Sequence, residues 1–137
     1  MYETILVPLD GSDSANRAAE HALELAKRFD AALHSLYVGD TRLYGEPGLS
    51  STEIVVNELE DHGTELVSAF ADRADNSGID VTTRVCHGVP HAEIIDYASE
   101  IDADAIVLGY QGQTHRQKIG SVAERVVRHG GRPTLTV

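Results

Sequence analysis

Two short apolar runs limit the folds open to this chain more than any other feature. "TILVPL" (4–9) and "DAIVLG" (104–109) show no alternation of apolar and polar residues. Unbroken runs of this length are expected of strands buried on both faces, as in a parallel sheet covered by helices. Each run ends in a glycine-containing turn, and helical periodicity follows. After Asp10-Gly11-Ser12, alanines at 15, 18, 19, 22 and 26 and Phe29 repeat at helical spacing through "SANRAAEHALELAKRF". A face so slim predicts a helix packed closely on a sheet.

The remaining segments continue the alternation. "ALHSLYV" (32–38) reads as a second strand, and "GDTRLYGEPGLS" (39–50) as a loop. Ser50 and Glu53 stand at capping-box spacing before a long helix, with Ile54, Leu59, Leu66, Val67, Phe70 and Ala74 expected inside. "IDVTTRVCH" (79–87) is partly alternating and predicts a strand toward an edge. Pro90 suits the first helical position before "HAEIIDYASEI", whose Ile94, Ile95, Ala98 and Ile101 share a face. "SVAERVVRHG" predicts a short helix ending at Gly130-Gly131, and "PTLTV" (133–137) a final strand. The order β-α-β-α-β-α-β-α-β implies one doubly wound parallel sheet with helices on both faces. Ligands of such sheets sit beyond the carboxyl ends of the strands, where the strand order reverses.

A chain of 137 residues is expected to form one domain spanning 1–137. Its formal net charge is −11, with 22 acidic against 11 basic residues, and lysine occurs only at 27 and 118. Such a surface suits high salt, where screening relieves self-repulsion, so a halophilic source is expected, with an acidic enzyme of a low-salt organism as the alternative. It argues against nucleic-acid or membrane partners, which need a basic face. The single Cys86 allows no internal disulfide, and nothing at the N-terminus resembles an export signal, so a cytoplasmic location is expected.

The segment "GYQGQTHRQKIGS" (109–121) carries the strongest functional signal. It leads from a strand into a helix, the setting in which a glycine-rich turn presents backbone N–H groups to an anion. It matches neither the P-loop nor the G-x-G-x-x-G fingerprint. Turn geometry alone would explain Gly109, Gly112 and Gly120, and a capping box with Glu124 would explain Ser121. Charge favours the anion reading. Arg116, Lys118, Arg125, Arg128 and Arg132 stand against Glu124 alone in residues 105–137, on an otherwise acidic chain. A solvated basic helix face accounts for residues 125–129 but less well for "THRQK" in the loop.

Asp10 ends the first strand, where its carboxylate could accept from an adenine amino group or a ribose hydroxyl, or hold a metal. A turn aspartate in "DGSDS" accounts for it equally well. There is no G-x-S-x-G elbow and no H-E-x-x-H among the seven histidines, so neither a catalytic residue nor a metal site is expected. His21 and His62 are expected on solvated helix faces, His34 in the core or at its rim, and Cys86 as a small buried hydrophobe.

Three blocks, "ILVPLDGSDSANRAAEHALELA", "GVPHAEIIDYASEIDADAIVLG" and "GSVAERVVRHGGRPTLTV", resemble the universal stress protein family over nearly the whole chain. The resemblance implies strand order 3-2-1-4-5 and a homodimer paired through 133–137. Its nucleotide-binding branch carries G-x2-G-x9-G-[ST] around ATP phosphates. Carried over, Asp10 and Val38 hold the nucleoside, and Gly109, Gly112, Gly120, Ser121 and Val122 surround the phosphates. Pro8, Leu9, Leu108, Gln111, His115 and Arg116 are further candidate nucleotide-binding residues. Here seven residues, "QTHRQKI", fill the spacer of nine, and Tyr110 and Gln111 replace a small residue and a histidine. The loop gives up as much as ~7 Å of reach, so it is not expected to wrap a triphosphate, with or without magnesium, as that motif does; His115, Arg116 and Lys118 either compensate by charge or favour AMP or a smaller anion. The leading expectation is a stress-response protein with an adenine nucleotide, ATP or AMP, as regulatory ligand. A dimeric interaction module without nucleotide and a slow nucleotide hydrolase are the alternatives.

Overall fold

The computed structural model describes residues 2–43, 50–111 and 119–137, without the side chains of 43 and 50–53. Five strands form one parallel sheet in the order β3-β2-β1-β4-β5. They are β1 (Thr4–Pro8), β2 (Ala32–Asp40), β3 (Val81–Gly88), β4 (Ala105–Leu108) and β5 (Thr134–Thr136). The helices are α1 (Asp13–Phe29), α2 (Ser50–Asp75), α3 (Pro90–Glu100) and α4 (Ser121–His129). The chain winds outward from β1 to β2 and β3, then crosses back to β4 and β5. Its switch point therefore lies between β1 and β4.

The two-sided burial that forbids alternation is visible residue by residue. Ile5, Val7 and Leu9 of the β1 segment, Leu33 and Tyr37 of β2, and Val107 of β4 pack against α1 and α2. Leu6, Leu36, Ile106 and Leu108 pack against α3 and α4. On α1 the alanines at 15, 18, 19, 22 and 26 are all buried, which lets that helix lie close to the sheet. Gly63 does the same for α2, because a Cβ there would collide with the Tyr37 ring.

Several expectations change at their edges. β2 continues through Gly39 and Asp40, which pair with His87 and Gly88, and a 3-10 turn (Thr41–Leu43) follows instead of open loop. β1 stops at Pro8, although the Leu9 N–H still donates to the Leu36 carbonyl at 2.8 Å. β4 begins after Asp104, whose carboxylate accepts from the Glu3 and Thr4 N–H groups at 2.8 and 2.9 Å. Those backbone hydrogen bonds hold the Asp104 carboxyl below its ordinary pKa. β3 begins two residues later and ends one residue later than 79–87, β5 loses one residue at each end of 133–137, and β3 occupies the expected edge.

Phe29 and Ile54 are not interior. Phe29 is 45% exposed, set edge-on against Tyr2, and Ile54 is 59% exposed near the N-terminal end of α2. Pro90 is the first helical residue of α3, as its fixed φ favours. The Ser50–Glu53 pair lies outside the described side chains.

Ser35 is fully buried in β2, and its hydroxyl has no hydrogen-bond partner among the described residues. A buried unsatisfied hydroxyl costs about 1–3 kcal/mol. Ser35→Ala is therefore expected to leave the melting temperature unchanged or raise it, whereas a typical buried substitution lowers it. Thermal denaturation followed by circular dichroism checks this, and a marked fall would reveal a partner for the hydroxyl.

Candidate functional site

The carboxyl ends of β1, β2 and β4 open onto one cleft of about 560 Å³ at the switch point. That is within the ordinary range for a small-molecule site, roughly 300–1,000 Å³. Pro8, Leu9, Asp10, Val38, Leu108, Gly109, Gln111, Gly120, Ser121 and Val122 all line it. The structure thus brings together every expected site residue that it describes. Gly112, His115 and Arg116, with Lys118, lie outside the described residues.

Asp10 follows β1 and closes a turn: the Ser12 N–H donates to its Oδ1 at 2.9 Å. Ser12 in turn caps α1, accepting from the Ala15 N–H at 3.1 Å. Turn aspartate and cleft-lining aspartate are therefore one residue in both roles. Tyr37, the residue before Val38, also lines the cleft, with His62 of α2 set edge-on to its ring at 5.8 Å between centroids. Burial first, and then the carboxylates of Asp10 and Asp40, push the Tyr37 phenol pKa up. Its hydroxyl stays protonated and able to donate. Asp40 is gripped by Arg42, with Nη2 to Oδ2 at 2.7 Å and Nε to Oδ1 at 2.9 Å. Those side-chain hydrogen bonds outweigh partial burial and hold the Asp40 carboxyl below its ordinary pKa.

At the other end of the cleft, the loop base is tied to the protein itself. The Tyr110 N–H donates to the Val137 carbonyl at 2.7 Å, the Gln111 N–H to Ser14 Oγ at 3.1 Å, and the Gly120 N–H to the Tyr110 carbonyl at 2.7 Å. These amides are engaged and do not face an anion. Among the described residues, the cleft's open donors lie one step on, at the start of α4. The first intrahelical bond of α4 runs from Glu124 to Gly120 at 2.9 Å, so the N–H groups of Ser121, Val122 and Ala123 have no intrahelical partner. All three residues line the cleft, where the helix dipole favours negative charge.

This corrects the capping box. Gly120, in extended backbone at φ −66 and ψ 156, is the N-cap of α4, with no side-chain cap bond. Ser121 is the first helical residue. The bond from Gly120 to Tyr110 fixes the helix start one residue earlier than the Ser121–Glu124 spacing indicated. Two of the basic residues of α4 and beyond are engaged with the protein itself. Arg128 pairs with Glu124 at 2.7 Å, and Arg132 bonds the Ala103 carbonyl at 2.7 Å and Asp102 at 3.2 Å.

Tyr37, Asp40, Arg42, His62, Pro90 and Ile94 line the cleft without having been expected there. His62 is exposed, as its helix face indicated, yet it lines the cleft. His34 sits at the core rim with Nδ1 3.3 Å from the Tyr97 hydroxyl, and burial lowers its pKa. Cys86 is half-buried, 3.9 Å from Glu93 Oε2; burial and then that carboxylate push the thiol pKa up, which disfavours the reactive thiolate. Among the described residues no three His, Cys, Asp or Glu gather as a metal site, and no helix is long and apolar enough to cross a membrane.

The model of the universal stress protein family matches residues 1–137. The chain belongs to the universal stress protein family. A family member of Methanocaldococcus jannaschii is 38% identical over 140 residues, covering 100% of this chain and 82% of the relative. The universal stress protein UspA of Lactobacillus plantarum shares the fold with a TM-score of 0.88 at 31% identity, covering 99% of this chain and 97% of its own. A universal stress protein solved in complex with cAMP matches with a TM-score of 0.77 at 26% identity, covering 99% and 97% of the two chains.

Proposed function

We propose that this universal stress protein binds an adenine nucleotide, of the AMP type, as a regulatory ligand in the switch-point cleft. The observation that carries this reading is the pairing of two chemistries in one space. Asp10 and the Tyr37 hydroxyl suit the hydroxyls and amino group of a nucleoside, and Val38, Ile94 and Leu108 add apolar surface for a base. The open N–H groups of α4 suit a phosphate. A relative in complex with cAMP supports the ligand class. The seven-residue spacer supports a mononucleotide over ATP with magnesium. In the same reading the protein is a cytoplasmic homodimer paired through 133–137, supported by the edge position of β5 and the 41% exposure of Leu135.

Isothermal titration with AMP, ATP and inorganic phosphate, at low and high salt, tests the ligand. Saturable one-to-one binding of AMP, at least as tight as that of ATP, is expected. Absence of saturable binding by either nucleotide removes the proposal.

A further inference from the structure

We infer that Ser14 is a positioning residue that sets the loop base against the N-terminus of α4, and through it the phosphate half of the cleft. This rests on the nucleotide reading above. Ser14 lies in the first turn of α1 and is 3% exposed, yet both functions of its hydroxyl are engaged across the fold. The O–H donates to the Val137 carbonyl at 2.7 Å, and Oγ accepts from the Gln111 N–H at 3.1 Å. The Val137 carbonyl also accepts from the Tyr110 N–H at 2.7 Å, and the Val137 N–H donates to Leu108 at 3.0 Å. Tyr110 passes the tie on, because its carbonyl holds the N–H of Gly120, the N-cap of α4.

The result is a continuous set of bonds from α1 through residue 137 and the loop base to the helix end that carries the open donors. Ser14 is its buried hub, and the close approach depends on Gly109. A Cβ on Gly109 would lie 2.7 Å from Ser14 Oγ. No hydrogen bond from Ser14 to a nucleotide is needed for this role. Its effect should appear in how well the phosphate is held, leaving recognition of the nucleoside, at the Asp10 end, intact.

The test compares AMP with adenosine, and adds amide hydrogen exchange on the free protein. In Ser14→Ala the Gln111 amide is expected to exchange roughly tenfold faster or more, as loss of one hydrogen bond implies. AMP affinity is expected to fall several-fold to roughly tenfold, with adenosine affinity held within twofold. Ser14→Cys, which keeps the shape and weakens both bonds, is expected to fall between, and it serves if Ser14→Ala does not fold. Equal weakening of AMP and adenosine, or unchanged Gln111 exchange, overturns the inference. If the wild type binds neither ligand, the functional proposal fails, and Gln111 exchange alone then decides whether Ser14 positions the loop.

Discussion

Gly109→Ala is expected to abolish measurable AMP binding and to destabilise the fold by about 1–3 kcal/mol, the range for forcing extra volume into a packed site. The cause is the crossing of the loop over the first turn of α1. An alanine Cβ would lie 2.7 Å from the Ala15 nitrogen and Ser14 Oγ, and 2.8 Å from the Ser14 carbonyl carbon. Two of these atoms are backbone in a turn already fixed by the Ser12 cap, so a side-chain rotation cannot relieve the clash. Either the loop base lifts or α1 retreats, and both break the Ser14–Gln111 bond. Thermal denaturation should show a fall of several degrees, and titration with AMP should show no saturation. A variant that melts and binds like the wild type would mean that the close approach is absent in solution.

The second large effect concerns Asp10. Asp10→Ala is expected to weaken AMP by about 10- to 150-fold, the equivalent of one charge-assisted hydrogen bond of roughly 1.5–3 kcal/mol. It also removes the acceptor for the Ser12 N–H, so some stability is lost with it. Asp10→Asn separates these roles. Its amide oxygen can still accept from Ser12 and keep the turn, while the negative charge lining the cleft is gone. Near-normal melting with clearly weakened AMP is expected of Asp10→Asn. If it binds AMP as well as the wild type does, the charge of Asp10 has no part in recognition.

The sheet was legible because its strongest strands advertise two-sided burial. Ile5, Leu6 and Val7 must all be apolar once both faces carry helices, so a short run without alternation marks a central strand. Pro90 and the alanine face of α1 were legible for equally local reasons. The cleft was legible where it is built from strand ends, at Pro8–Asp10, Val38 and Leu108–Gly109. It was opaque where distant segments supply it. His62 and Tyr37 are 25 positions apart, and only the lie of α2 across β2 brings them together.

Ser14 shows the same limit more sharply. In sequence it is one more polar residue opening a helix, and its partners Gln111 and Val137 are 97 and 123 positions away. Ser121 misled in the opposite sense. Its spacing to Glu124 satisfied a local rule, but a tertiary bond from Gly120 to Tyr110 decides where α4 begins. Local chemistry locates elements well; their first residues depend on what holds them from outside.

The measurement that bears most directly on the proposed nucleotide site is a titration of the isotope-labelled protein with AMP, followed by amide chemical shifts. Saturable shifts are expected at Leu9, Asp10, Val38, Gly109, Gln111, Gly120, Ser121 and Val122, with the largest at the start of α4. Absence of saturable shifts, or shifts confined to the groove between α1 and α2 near Asn16, Leu66 and Arg73, would contradict an adenine nucleotide at the switch point.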